Sequence, residues 1–148
     1  MRIRILWVGR TKEPYLNEGI KKYLRLLHPY VPLEIIEFGS ERAFVSAQRL
    51  REKEGERILR GHSNYILLDE TGKEKTSMEF AGLIRSLEAE DVDFVLGGAF
   101  GVSDEVKRKA GMTISLSRMT MTHEMARLFF LEQLYRAFTI IRGKPYHH

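Results

Sequence analysis

The sequence lacks several features that would assign it to a particular class of protein. Its 148 residues include no cysteine, only four prolines and one tryptophan. Without cysteine the chain forms neither a disulfide scaffold nor a zinc–thiolate site, which is compatible with a reducing cytosol. No apolar run approaches the roughly 20 residues that cross a bilayer, and the apolar stretch at the start is too short for a signal peptide. We therefore expect a cytoplasmic protein with no membrane partner.

Neither sign of charge dominates the chain. There are 24 basic and 20 acidic residues, which gives a net charge of +4 and a pI near 9.4. This mild basic bias permits nucleic-acid binding without establishing it. The length and the ordinary hydrophobic fraction of 43% predict a single globular domain over residues 1–148. No His-x-x-x-His pattern is present, so no metal site is expected.

Strand and helix patterns alternate along the chain. Short apolar or β-branched runs predict strands at residues 3–8, 33–38, 65–68, 92–96 and 113–116. Three- and four-residue apolar spacing predicts helices at about 16–27, 42–60, 76–87 and 123–141, with a short helix beginning at Ser103. Thr76 and Glu79 form a capping box. This alternation predicts an α/β fold with a mainly parallel sheet and helices on both faces.

The helix at 123–141 is apolar around most of its circumference. Its apolar residues are Leu128, Phe129, Phe130, Leu131, Leu134, Tyr135, Ala137, Phe138, Ile140 and Ile141. A helix that is apolar on all sides should be buried on all sides, whereas a terminal helix in a small α/β protein normally has water on one side. We therefore predict a homodimer that packs partly through this helix. The alternative is that the helix lies across the core of one chain.

A glycine-rich segment follows the fourth strand. Gly97, Gly98 and Gly101 lie before the next helix, where α/β sheets commonly bind ligands and where glycine allows close approach of the backbone. Their spacing differs from the dinucleotide-binding Gly-x-Gly-x-x-Gly. No phosphate loop follows the first strand, which argues against a flavodoxin-like domain. By itself the segment is compatible with a ligand loop or with a tight turn.

Two further segments contain candidate site residues. Residues 115–122 combine hydroxyl and thioether side chains, a composition that suits a ring-binding pocket and equally suits core packing. The sequence then ends in Pro-Tyr-His-His at 145–148, which contains groups able to transfer protons near neutral pH. A terminal segment frays unless it is bound, so its position after an apolar helix suggests a segment folded into a site.

Taken in order, these motifs resemble the RlmH family of SPOUT-class methyltransferases. The resemblance rests on Gly97-Gly98, Ser-Leu-Ser-x-Met-Thr-x-x-His at 115–123, Leu-Tyr-Arg-Ala-Phe at 134–138 and Pro-Tyr-His at 145–147. It implies a C-terminal trefoil knot, an obligate homodimer and S-adenosylmethionine as methyl donor. It also implies that the methyl acceptor is N3 of a pseudouridine in helix 69 of 23S rRNA, within the assembled ribosome.

Carried onto this sequence, the resemblance implies a cofactor site and a catalytic tail. The cofactor contacts would be Leu68, Gly97, Leu116, Ser117, Arg118, Met119, Thr120 and Met121. The catalytic residues would be His147, which accepts or relays the proton of N3, and Tyr146, which orients the base. The sequence departs from the family pattern at His148, where arginine or lysine is common, and at Thr122, where proline often stands.

Positive charge is concentrated in the last third of the chain. Among the basic residues there are Arg118, Arg127, Arg136, Arg142 and Lys144. We regard Arg118, Arg142 and Lys144, with His148 when it is protonated, as candidates for contacts with RNA phosphates. The arginines are equally suited to pairing with carboxylates in a dimer interface. The alternative function is a non-catalytic nucleotide- or ribosome-binding module that keeps the pocket without turnover.

Overall fold

A computed structural model describes residues 1–39 and 46–148 of the chain. Its elements, in chain order, are β1 (Ile3–Val8), α1 (Pro14–Leu27), β2 (Leu33–Phe38), α2 (Ala47–Gly61), β3 (Ile66–Glu74), α3 (Ser77–Ser86), β4 (Val92–Leu96), α4 (Asp104–Lys109), β5 (Met112–Ser115) and α5 (His123–Ile141). The predicted elements are confirmed in kind and order. The predicted start of the second helix, at residue 42, lies outside the described residues.

The five strands form one parallel sheet in the order β2-β1-β4-β3-β5. Helices α1, α3 and α5 bury apolar side chains on one face of the sheet, and α2 and α4 do so on the other. The predicted α/β class with a parallel sheet and two helical layers is therefore confirmed. No helix in the described part of the chain is long and apolar enough to span a membrane.

Strand β3 is longer than the sequence predicts. We placed its end before Asp69, but it continues to Glu74 because pairing with β5 resumes after a register shift between Leu68 and Lys73. Gly72 lies in this irregular stretch, where a Cβ atom would come within 2.7 Å of the backbone of Ile114. A bulge inserts polar residues that look like a turn in the sequence, so apolar periodicity did not reveal the second half of the strand. Leu68 thus ends the regular part of β3.

Helix α5 lies between α1 and α3 and packs closely against both. Phe130, Leu131 and Leu134 are fully buried against the sheet side of the protein. Leu128 contacts α1 at Gly19, where even a Cβ atom would come within 2.9 Å of the leucine side chain. On these sides the helix therefore contributes to the core of its own chain. Met125 and Phe129 remain 38% exposed on its outer side.

Candidate active site

A cavity of about 830 Å³ opens at the carboxyl ends of β3, β4 and β5. Seven of the eight predicted cofactor-binding residues line it, namely Leu68, Gly97, Leu116, Ser117, Met119, Thr120 and Met121. The carboxyl edge of a parallel sheet is where open α/β folds bind ligands, and the volume is typical of small-molecule sites. Arg118 does not line the cavity. Its side chain is 84% exposed and pairs with Glu74 at 3.3 Å.

One wall of the cavity is a tight turn at residues 98–101. The amide of Gly101 donates a hydrogen bond to the carbonyl of Gly98 at 3.0 Å, and Gly101 has a φ of 78°. A left-handed backbone of this kind favours glycine. At Gly97 a Cβ atom would lie 3.0 Å from the carbonyl carbon of Gly101. The glycine segment is therefore both a tight turn and a wall of the cavity.

The opposite wall is the segment from Ser115 to Thr122, which is ordered by its own hydroxyl groups. Ser115 Oγ donates to the carbonyl of Ser117 at 2.8 Å, and Ser117 Oγ accepts from the amide of Met119 at 2.9 Å. Thr120 Oγ1 lies 3.0 Å from Glu70 Oε2 and so connects this wall to the residues that follow the regular part of β3. Thr122 caps α5 by accepting from the amide of Met125. The segment is therefore held in place before any ligand binds.

Carboxylates and cations both line the cavity. The acidic residues are Asp69, Glu70 and Asp104, the basic ones are Arg51 and Lys107, and Lys107 Nζ lies 3.9 Å from Asp69 Oδ2. Sequence reasoning missed these residues because Asp69 and Glu70 were interpreted as part of a turn. Their position directly after a buried strand was the signal that pointed to the cavity. No cluster able to hold a metal ion occurs among the described residues.

The first turn of α5 completes the cavity and ties it to α1. His123 lines the cavity, and burial, together with the nearby Arg127, lowers the pKa of its imidazole. Glu124 Oε1 accepts from the amides of Lys12 and Glu13 at 2.6 and 3.1 Å, at the start of α1. Burial raises the pKa of Glu124, but these hydrogen bonds and the neighbouring positive charges outweigh it and leave the pKa lowered. At neutral pH the cavity therefore has a neutral histidine beside an ionised carboxylate.

A lower pH is expected to reduce the free energy of unfolding, because His123 takes up a proton more readily in the unfolded chain. Because its pKa is lower in the folded chain than in the unfolded chain, the unfolded state binds the proton first as the pH falls below about 6.5. The contribution to stability is complete above that pH and is lost as the pH falls toward the lowered pKa. Urea unfolding at about pH 7.5 and 5.5 should show a smaller acid loss for His123→Gln than for the unsubstituted chain. Equal losses of stability in the two proteins would contradict this role of His123.

Arg127 is fully buried at the centre of the junction between β1 and α5. Its guanidinium donates to the carbonyl of Val8 at 2.7 Å and to Thr11 Oγ1 at 3.0 Å, and it stacks on Trp7 at 4.7 Å. Burial lowers the pKa of this guanidinium, an effect that the charge of Glu124 opposes. Arg127 is therefore not available to RNA phosphates, because its side chain is inside the protein. Its role is to fix the segment between β1 and α1.

Truncation of Arg127 is expected to destabilise the fold strongly. Arg127→Ala would leave a cavity and a buried carbonyl without its donor, which together cost about 3–5 kcal/mol of the free energy of unfolding. Denaturant unfolding followed by circular dichroism measures this loss. Arg25→Ala, at an exposed position of α1, is the matched control and should change stability by less than about 0.5 kcal/mol.

Tyr146 lies against α5 and α1, not at the cavity of its own chain. Its hydroxyl donates to Glu132 Oε1 at 3.0 Å and lies 3.3 Å from the hydroxyl of Tyr23. Its ring contacts Tyr135, and the Arg136 guanidinium stacks over it at 4.9 Å. Burial and these hydrogen bonds raise the pKa of the Tyr146 phenol well above its usual value. The phenol therefore stays protonated and acts as a hydrogen-bond donor.

His147 is held by Arg136. Its Nδ1 lies 3.2 Å from Nη1 of Arg136, whose Nη2 also pairs with Glu132. A guanidinium only donates hydrogen bonds, so Nδ1 is the acceptor and a neutral imidazole has its proton on Nε2. This tautomer leaves Nε2–H as the hydrogen-bond donor of His147. Arg136 is thus engaged with the tail.

The length of α5 separates this tail from the cavity of the same chain. His123 lines the cavity, whereas Glu132 and Arg136, which hold Tyr146 and His147, come nine and thirteen residues later. At 1.5 Å of rise per residue they lie roughly 14 and 20 Å further along the helix axis. The structure thus gathers the predicted cofactor residues in one place and holds the predicted catalytic residues elsewhere.

The remaining predicted RNA contacts lie at the far end of α5. Arg142 pairs with Glu88 at 3.6 Å, and Lys144 and His148 are exposed. Arg118 lies apart from them, beyond β5 on the side of the cavity. Within one chain Arg118 therefore stands apart from Arg142, Lys144 and His148.

Comparison with known proteins agrees with this geometry. The family described as predicted SPOUT methyltransferase matches residues 1–147. Proteins named ribosomal RNA large subunit methyltransferase H are 45% identical in Geotalea uraniireducens and 46% identical in Geobacter sulfurreducens, and each match covers the whole of both chains. A tRNA (m1G37) methyltransferase from Aquifex aeolicus shares the fold with a TM-score of 0.55 at 12% identity, over 92% of this chain and 70% of that one. The chain belongs to the SPOUT methyltransferase family.

Proposed function

We propose that this protein transfers a methyl group from S-adenosylmethionine to ribosomal RNA of the large subunit. The observation that carries the proposal is a cavity lined by seven of the residues that the resemblance assigned to the cofactor. Relatives that match over their whole length are named ribosomal RNA large subunit methyltransferase H, which describes this activity. They favour it over the alternative of a non-catalytic binding module. A cytoplasmic location follows from the same function.

The cavity fits the methyl donor in shape and charge. Gly97 lets the turn that walls the cavity pack closely, since a Cβ atom there would lie 3.0 Å from the backbone of Gly101, and Asp69 and Glu70 provide negative charge for a cationic ligand. His123 is neutral at neutral pH and so does not repel a positive group. Leu68, Gly97 and Leu116 to Met121, apart from Arg118, would hold the molecule. When bound, it supplies a methyl group on a sulfonium, which is transferred by in-line displacement.

The acceptor we propose is N3 of a pseudouridine in helix 69 of 23S rRNA, as the resemblance implies. N3 has a proton in the neutral base, so it becomes a nucleophile only when that proton leaves. The Nε2–H group of His147 would donate to a carbonyl oxygen of the base next to N3 and stabilise the anion that remains. Released from Arg136, the same imidazole would accept the proton itself. Tyr146, with its phenol protonated, would orient the base by hydrogen bonding or stacking.

A second copy of the chain would bring the tail to the cavity. The residues that hold the tail lie roughly 9 to 15 Å along α5 beyond Ala126, which lines the cavity of the same chain, so the tail is positioned to serve another chain's cavity. Met125 and Phe129, exposed on α5, would be covered in such a homodimer. The proposal also includes the C-terminal trefoil knot that the resemblance implies. Each site would then combine the cavity of one subunit with residues of the other.

The proposal is tested by methyl transfer to ribosomes. Labelled S-adenosylmethionine, the purified protein and ribosomes from cells without this activity should give label in large-subunit RNA. Nucleoside analysis should place it on the N3 position of a pseudouridine. Label on another nucleoside would support the proposed methyltransferase activity but reject N3 of a pseudouridine as the acceptor. No label on intact ribosomes or isolated subunits, together with no binding of S-adenosylmethionine, would reject the proposal.

A further inference from the structure

Phe100 is an exposed aromatic residue at the wall of the cavity. It is 55% exposed, and it belongs to neither apolar core of the protein. The turn at residues 98–101 fixes its backbone through the hydrogen bond and bridge between Gly98 and Gly101. A rigid turn that presents a large apolar ring to water gives nothing to the stability of the fold. The ring is therefore positioned for something outside the chain.

Arg51 provides positive charge beside this ring. It lines the same cavity, and its Nη1 donates to the carbonyl of Phe100 at 3.5 Å. Among the described residues no carboxylate forms an ion pair with it. Asp69 is turned toward Thr71 and Lys107, and Glu70 accepts from Thr120. The cation next to Phe100 is thus available to a negatively charged group.

An exposed aromatic ring beside a guanidinium matches the chemistry of an unpaired nucleotide. Bases stack on aromatic side chains with about 1–3 kcal/mol per base, and arginine contacts the phosphate. A base that reacts at the cavity must leave its stack, which costs a few kcal/mol and leaves its neighbour without a stacking partner. Phe100 lies at the wall of the cavity, where the nucleotide next to the reacting base would need a new stacking partner. An additional protein subunit would cover the ring but would not need the cation.

We propose that the Phe100 ring, with Arg51, binds an RNA nucleotide adjacent to the methylated base, by stacking on its base and contacting its phosphate. The proposal rests on the proposed function, since it places RNA at the mouth of this cavity. It assigns RNA positioning to the glycine turn, which the sequence analysis connected only with the cofactor. It also assigns an RNA contact to α2, outside the basic residues predicted for that role.

The first test compares side chains at Phe100 in methylation of ribosomes. Phe100→Ala is expected to raise the KM for ribosomes about 5- to 150-fold, the range that corresponds to the loss of one stacked base. Phe100→Trp should restore the KM, whereas Phe100→Leu, which is apolar without an aromatic face, should not. Met78→Ala, at an apolar side chain of α3 that is 57% exposed, is the matched control and should leave the KM unchanged.

The second test concerns Arg51 and salt. Arg51→Gln should raise the KM for ribosomes. It should also reduce the slope of log KM against log salt concentration by about one, because one contact with an RNA phosphate is lost. Arg49→Gln, at an exposed arginine of the same helix that pairs with Glu52, should leave the slope unchanged. All variants should keep the oligomeric mass and the affinity for S-adenosylmethionine of the unsubstituted protein.

Several outcomes would overturn the inference. A KM for Phe100→Ala within twofold of the unsubstituted value would exclude stacking, and so would full function of Phe100→Leu. A change of oligomeric mass in Phe100→Ala would show that a second subunit covers the ring instead. These results would leave the proposed function intact, because each variant is compared with an unsubstituted protein that methylates ribosomes. Absence of any methylation by that protein would instead reject the proposed function.

Discussion

Replacement of His147 by alanine is expected to slow methyl transfer to ribosomal RNA by about 10²- to 10⁴-fold, the usual effect of losing a proton-transfer group. The structure places this imidazole on Arg136, with Nδ1 as the acceptor. Alanine would remove both the Nε2–H group that stabilises the anion and the nitrogen that accepts the proton. Single-turnover transfer of labelled methyl groups, at saturating concentrations of both substrates, measures the loss in the chemical step.

The controls separate catalysis from binding. His147→Ala should bind S-adenosylmethionine as tightly as the unsubstituted protein, because the residues proposed to hold the methyl donor belong to the cavity wall and do not include His147. His28→Ala, at an exposed histidine after α1, should methylate at the normal rate. Methylation by His147→Ala at the unsubstituted rate would mean that the tail has no chemical role.

Replacement of Gly97 by valine is expected to weaken S-adenosylmethionine binding by about 100-fold or more. A Cβ atom at this position lies 3.0 and 3.1 Å from the backbone of Gly101 and 3.1 Å from Val102, so the turn must move. Overpacking of this kind costs about 1–3 kcal/mol for small insertions, and the branched side chain adds two more methyl groups against the same wall. Isothermal titration calorimetry of the folded variant measures the affinity directly.

A second glycine provides the matched control for this experiment. Gly82 lies on the exposed side of α3, and a Cβ atom there meets no atom within 4 Å. Gly82→Ala should leave binding unchanged and raise stability by roughly 0.5–1 kcal/mol, because alanine favours the helix. Normal affinity in Gly97→Val, with a normal circular dichroism spectrum, would mean that the cofactor does not approach this glycine.

Local sequence signals accounted for much of the fold. Helix α5 has the predicted bounds because Thr122 caps its start and Gly143, with a φ of 66°, lies just beyond its end. The capping box at Thr76 and Glu79 likewise fixed the start of α3. Such signals act over a few residues, so they can be identified in one sequence. The bulge in β3 depends on pairing with β5, and apolar periodicity contains no trace of it.

The candidate site was likewise only partly predictable from the sequence. The cavity residues follow the ends of three strands, so motifs and topology brought them together in the prediction. The contacts of Arg127 with Val8 and Thr11, and of Tyr146 with Tyr23, join residues more than 110 positions apart. No spacing rule connects such residues, because packing of α5 between α1 and the sheet creates the contact. The acidic and aromatic residues around the cavity were missed for a related reason, since a turn and a site wall contain the same residue types.

In the proposed homodimer each active site combines the cavity of one subunit with the tail of the other. This arrangement is tested by mixing two inactive variants, Gly97→Val with a damaged cavity and His147→Ala with a damaged tail. After subunit exchange about half of the dimers contain one copy of each variant, and one of their two sites has both an intact cavity and an intact tail. The mixture should therefore recover about one quarter of the unsubstituted activity. Activity no higher than that of the separate variants, despite proven exchange, would contradict the claim.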